Sequence, residues 1–238
     1  MSQRTPLIAS GHPDNLEPLM VKQERAARTR RSLIRAAAEV FAGEGFMPAS
    51  LTMISRRAGV SNGALHFHFA SKEALARAVE EEAAQEVRQI TERCRATGAV
   101  GVQLLVDATH CLMRSLDDDV VVRAGFELSG DISRRGGINL RRQWRHWVES
   151  EVERVASDGG LAHGLAPDDV ASALMAATVG FEVLGAREDR DWISRRTLTR
   201  FWELMLPAMA AGQHLDTLVT CGSCRTDDDR EVAVGEAV

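Results

Sequence analysis

Four groupings of residues in this 238-residue chain have the types and spacing that chemistry requires. Cys221 and Cys224 form a C-x-x-C, His66 and His68 bracket one residue, Gly59 to Gly63 reads G-x-S-x-G, and Asp117 to Asp119 is an acidic run. A tetrahedral zinc site needs a second ligand pair beside Cys221 and Cys224, and no βαβ pattern surrounds them as a thiol oxidoreductase would have. They read as incidental thiols. Two residues along a helix is about 200° of rotation, so the two imidazoles diverge and are not expected to share a metal. A hydrolase nucleophile elbow sits on a strand-to-helix turn, whereas Leu51 to Ala58 has helical spacing. The acidic run lacks the downstream carboxylates of a diphosphate-metal site and reads as a helix break or an N-cap. No Walker or dinucleotide glycine pattern occurs. The expectation is no metal, no cofactor and no catalytic residue, hence not an enzyme.

What remains is a binding surface. The run Leu51 to Phe69, LTMISRRAGVSNGALHFHF, has the layout of a helix-turn-helix, with a generic αα-hairpin as the plainer reading. Leu51, Ile54 and Ala58 fix a first helix capped by Ser50, Gly59 permits the turn, and Val60 and Leu65 anchor a second helix capped by Ser61. At the N-terminus of that second helix, Ser61 and Asn62 are predicted to reach base edges or phosphates, while Gly63 and Ala64 let the backbone come close. His66, Phe67 and His68 continue the same surface, one imidazole toward DNA and the other packing or capping. Arg28, Thr52, Arg56, Arg57 and Lys72 are placed to meet flanking phosphates.

The charge distribution agrees. Residues 21–79 carry ten basic residues against four acids, while 80–238 carry eighteen against twenty-eight, so a net charge of −5 hides a basic block on an acidic body. That is the pattern of a nucleic-acid-binding module joined to a domain that does not bind nucleic acid.

The elements that must position these residues are helical throughout. Residues 1–20 hold Pro6, Gly11, Pro13 and Pro18 without apolar period and read as a flexible arm. A first helix spans about Lys22 to Glu44, and a fourth begins after Ser71. Together, 21–79 form a helix-turn-helix DNA-binding domain. Residues 80–212 continue as five or six helices without strands, broken near Gly98, Asp117 to Asp119, Gly136 and Gly137, Gly159 and Gly160, and Arg187 to Asp191. Residues 213–238 read as a polar, loosely ordered tail. No window approaches the roughly 20 apolar residues of a membrane span, the first twenty residues lack the core of a signal peptide, and the four cysteines form no disulfide framework. A cytoplasmic protein with reduced thiols is expected, in contact with the nucleoid.

The stretches TRRSLIRAAAEVFAGEGF, SLTMISRRAGVS and GALHFHFASKEALARAV resemble the DNA-binding domain of TetR-type repressors, and within them the γ-butyrolactone receptor branch. The likeness is tight over residues 24–80 and rests on helix layout beyond. The sequence departs from the common pattern at Asn62, where Lys is frequent, and at His66, where Tyr is frequent. The resemblance implies an all-α homodimer of about nine or ten helices, with a C-terminal helical domain for dimerisation and ligand binding. It would bind a pseudo-palindromic operator and be released by a small lipophilic signal controlling secondary metabolism.

The last two long helices, Asp168 to Ala186 and Trp192 to Met209, would form the dimer interface. The first is rich in small residues (Ala171, Ala173, Ala176, Ala177, Gly180) and the second carries Trp192, Phe201, Trp202 and Leu204. The segment RRQWRHWVES resembles the family's ligand-binding helix, with Trp147 the better positional match and Trp144 the second. Thr178 is a candidate partner for a carbonyl or hydroxyl, Phe181 for an alkyl tail, with Phe126 and Gln143 further candidates. An antibiotic-sensing pseudo-receptor or efflux regulator, and a helical carrier or enzyme, remain the alternatives.

Overall fold

A computed structural model describes residues 16–131, 134, 136–186 and 189–223. Among them are nine α-helices, two 3₁₀ helices and no strand, only a single bridge between Leu161 and Ala210. The all-α expectation holds. No described helix is long and apolar enough to cross a membrane.

The helix-turn-helix follows from three serine caps. α1 (Leu16–Glu44) buries Leu33, Ile34, Ala37 and Phe41 and ends where Gly45 takes φ +82°. It starts earlier than the expected arm boundary at residue 20, because Pro18 lies in the first turn, where its missing N–H breaks no helical bond. α2 (Leu51–Arg57), α3 (Asn62–His68) and α4 (Lys72–Ala96) are each preceded by a serine, Ser50, Ser61 and Ser71, whose hydroxyl accepts from the backbone N–H three residues on. Gly59 supplies the positive φ, +67°, that turns α2 into α3.

Five further helices build the body: α5 (Gly101–Asp118), α6 (Val120–Gly130), α7 (Leu140–Ser157), α8 (Pro167–Gly185) and α9 (Arg195–Met209). Asp119 caps α6 by accepting from Val121 N at 2.8 Å, so the acidic run is a break and a cap.

Two apolar cores divide the chain, and the division is not linear in sequence. Leu75 and Val79 of α4 pack with α1 to α3, while Ala83 to Cys94 of the same helix pack with the body. α6 also serves both: Val121, Ala124 and Leu128 close the N-terminal core, Val122 and Phe126 face the other. Gly125 makes this possible, since a Cβ there would lie 2.5 Å from that of Ala83.

The expected loose tail is ordered in its first part. Residues 212–217 form a 3₁₀ helix, and 218–223 run as a strap along α5. Gln103 clamps Val219 through both its N–H and its carbonyl, His110 bonds Thr220 O at 3.0 Å, and the fully buried Asp107 carboxylate accepts from Ser223 N (2.7 Å) and the Ser223 hydroxyl. Period and composition gave no sign of this docking, because its anchors lie 110 or more positions away. Cys224 falls outside the described residues.

Candidate nucleic-acid interface and ligand cavity

Around α3 the structure gathers most of the expected DNA-facing residues on one exposed surface. Thr52, Arg56, Arg57, Ser61, Asn62, Gly63, His66 and Phe67 are exposed, as is Arg28 on α1, and Ala64 and His68 are half-exposed. The Phe67 ring is 81% exposed, with the His68 imidazole edge-on against it at 5.2 Å.

Three members of this set have other employment. Lys72 directs its ammonium to the carbonyls of Phe46 (2.8 Å), Met47 (3.1 Å) and Ala49 (2.9 Å), and lies 4.5 Å from the Phe46 ring centroid. All three N–H donors are engaged in fastening the α1–α2 loop, a different employment from the phosphate contact expected of this residue. Asn62 is turned toward α2, its Oδ1 accepting from the buried Ser55 hydroxyl at 2.5 Å. It braces the two helices, with one acceptor site of Oδ1 engaged. Arg57 pairs with Glu39 at 2.5 Å on the exposed surface, a pairing of small net worth that a phosphate can replace.

A second site lies between α5, α6, α7 and α8. Its walls are Leu112, Met113, Leu116, Phe126, Met175 and Val179, and its polar side is Arg141, Trp144, Thr178 and Glu182. The free interior is about 10 Å³, room for a single water. Trp144 is buried, and its indole N–H has no hydrogen-bond acceptor among the described residues. An unpaired buried donor is costly, about 1–3 kcal/mol, unless something accepts from it.

Thr178 donates to the carbonyl of Leu174 in its own helix at 2.9 Å, which leaves its lone pairs as acceptors. Arg141 and Glu182 form a two-bond fork at 2.7 and 2.8 Å, and these bonds hold the Arg141 guanidinium above its ordinary pKa. Sequence reading missed this pair, because the partners stand 41 positions apart on different helices.

Of the expected ligand residues, Trp144, Thr178 and Phe126 line the cavity and the others do not. Trp147 stacks on the outer face of Trp144 and sits beside Arg95. Gln143 faces α4 and donates to Ala84 O at 3.0 Å. Phe181 packs edge-on against Phe201 at 5.3 Å. Trp147 stands three residues and about 60° of helical rotation from Trp144, an offset that puts it outside the cavity and that no local pattern reports. Among the described residues no group of three His, Cys, Asp or Glu could hold a metal.

A capped helix-turn-helix with exposed cationic residues, joined through shared helices to a body with a small lined cavity, is the architecture of a DNA-binding regulator. Residues 33–79 match the bacterial regulatory proteins, tetR family. The A-factor receptor protein of Streptomyces griseus is 31% identical over 194 residues, covering 80% of this chain and 67% of that one. The chain belongs to the tetR family.

A solved gamma-butyrolactone receptor (ArpA-like protein) superposes with a TM-score of 0.71 at 28% identity, over 83% of this chain and 96% of that one. The TetR family protein CprB of Streptomyces coelicolor, solved in complex with its biological operator sequence, gives a TM-score of 0.70 at 29% identity, over 84% and 96%.

Proposed function

We propose that the protein is a homodimeric transcriptional repressor that acts by binding alone. Its α3 helices read the two halves of a pseudo-palindromic operator, and a small lipophilic signal entering the Trp144 cavity releases it. The observation that carries the effector assignment is that Trp144, whose buried N–H lacks an acceptor among the described residues as do those of Trp147 and Trp202, is the one of the three that lines this partly apolar cavity. A lactone, butenolide or furan carbonyl would accept from it, while Met175, Val179 and Phe126 would take an alkyl chain. The names of the relatives, an A-factor receptor and a gamma-butyrolactone receptor, support the same class of ligand.

Dimerisation through α8 and α9 is supported by apolar side chains that the chain itself leaves uncovered. Val183 and Leu184 are half-exposed and Leu204 is 77% exposed. Ala173 and Ala176 stand exposed on the same helix as Val183, whereas Ala171 and Trp202, expected at this interface, are buried within the subunit.

The test is a mobility-shift titration on DNA from upstream of the protein's own gene, at two salt concentrations, with and without γ-butyrolactones of graded chain length. A sequence-selective shift reversed by one of them supports the reading. If neither this DNA nor random-site selection yields a selective complex, the repressor assignment is wrong.

A further inference from the structure

We infer that Arg134 is a positioning residue for operator binding, the latch through which the effector half holds the helix-turn-helix in place. The inference rests on the repressor reading above. Its starting point is the size of the cavity. A free interior of about 10 Å³ is far below the several hundred Å³ of a small-molecule site, so a ligand enters only if the surrounding helices move apart, and two of them, α6 and α7, carry Phe126 and Trp144.

The segment joining those two helices is fastened to the DNA-binding half. Glu80 on α4 is 1% exposed, and its carboxylate accepts from the Arg134 guanidinium and from Ile138 N at 3.3 Å. The backbone comes so close at Gly137 that a Cβ there would lie 2.7 Å from the same carboxylate. Arg134, only 8% exposed, also donates to Leu128 O at 3.2 Å and covers the Phe46 ring at 4.9 Å. Phe46 belongs to the α1–α2 loop, packs on Phe41 of α1 at 5.6 Å, and is the ring over which Lys72 sits.

One guanidinium thus touches α4, the end of α6 and the loop that aims α2. On the other side, the Ser129 hydroxyl at the end of α6 bonds Ile138 O (2.9 Å) and Leu140 N (3.2 Å), where α7 begins. Movement of either cavity wall therefore pulls on Arg134, and a loop pinned to one buried carboxylate is either seated or unseated. Buried ion pairs contribute little net stability over apolar packing, and their best-attested use is to specify one arrangement.

The experiment follows from reciprocity: if ligand binding at the cavity weakens DNA binding, DNA binding must alter the cavity helices. Hydrogen exchange is measured on the full chain with and without an operator duplex obtained by random-site selection, for the parent protein and for Arg134→Met, Arg134→Lys and Glu80→Gln. In the parent protein the duplex is expected to slow exchange in α7. Arg134→Met and Glu80→Gln are expected to weaken operator binding about tenfold and to abolish that slowing, with partial rescue by Arg134→Lys.

Loss of affinity with α7 slowing retained would reduce the pair to a structural role and overturn the inference, as would unchanged affinity in both variants. Glu80→Gln keeps the shape and one carbonyl acceptor, so the test stands even if Arg134→Met folds poorly. Absence of operator binding in the parent protein would instead overturn the repressor reading itself.

Discussion

The indoles of Trp144 and Trp147 lie stacked, with ring centroids 4.8 Å apart and planes within 24° of parallel. The inner ring lines the cavity proposed for the effector, and the outer ring is half-buried with the Arg95 guanidinium 6.0 Å from its centre. Three residues apart on one helix, they share a face, yet only Trp144 lines the cavity between α5, α6, α7 and α8.

The two tryptophans should therefore separate in function. Trp144→Phe keeps an aromatic wall and removes the N–H, so the lactone concentration for half-release from operator is expected to rise about tenfold, the worth of one hydrogen bond. Operator affinity without ligand should stay unchanged. Trp147→Phe preserves a ring in the stack and should shift half-release little. Equal effects of the two substitutions in a release titration would remove Trp144 from the ligand site.

Lys72 and Arg56 should separate in the same way. Lys72→Met leaves three loop carbonyls without their donor and is expected to lower unfolding stability by about 1–3 kcal/mol, read by urea denaturation. The salt dependence of DNA binding should keep its slope. Arg56→Ala should leave stability nearly intact and lower that slope by about one unit, the signature of a lost phosphate contact. A changed slope in the Lys72 variant would return that residue to the DNA interface.

Gly125→Ala tests the seam between the two cores. The added methyl meets Ala83 Cβ at 2.5 Å and Leu140 Cδ1 at 3.0 Å, so α4 and α6 must separate. Overpacking of this kind costs about 1–3 kcal/mol. A thermal unfolding curve matching that of the parent would mean that the helices part without strain.

The strap along α5 should respond to pH. Burial holds the His110 imidazole below its ordinary value, with Arg195 and Arg114 adding to the effect, while its bond to Thr220 O and the Asp107 carboxylate oppose it. The released state then binds the proton more tightly than the docked one. Docking is complete above the ordinary histidine value of about 6.5 and weakens as pH falls below it toward the lowered value. Amide protection of residues 218–223, corrected for intrinsic exchange, should accordingly decline between about pH 7.5 and about pH 5.5. In His110→Gln that decline should vanish, and its persistence would assign the titration elsewhere.

The sequence by itself determined everything that is local. Ser50, Ser61 and Ser71 each cap a helix through a backbone N–H three residues on, and Gly59 turns because a positive φ suits only glycine there. Those signals lie within one turn of chain, so the capped short helices of the helix-turn-helix and the helical body were legible, as was the family likeness they carry. The tertiary structure alone decided which residues meet across helices.

Glu80 finds Arg134 at a separation of 54 positions, Arg141 finds Glu182 at 41, and Asp107 finds Ser223 at 116. Periodicity gives a helix its apolar stripe, but the stripe is broad enough that a rotation of one residue leaves it satisfied. That freedom is why the sequence ranks Trp147 ahead of Trp144 whereas it is Trp144 that lines the cavity, and why Lys72 reads as a free cation although the α1–α2 loop engages it. Such choices are fixed only when neighbouring helices pack, because the energy that selects them comes from partners distant in sequence.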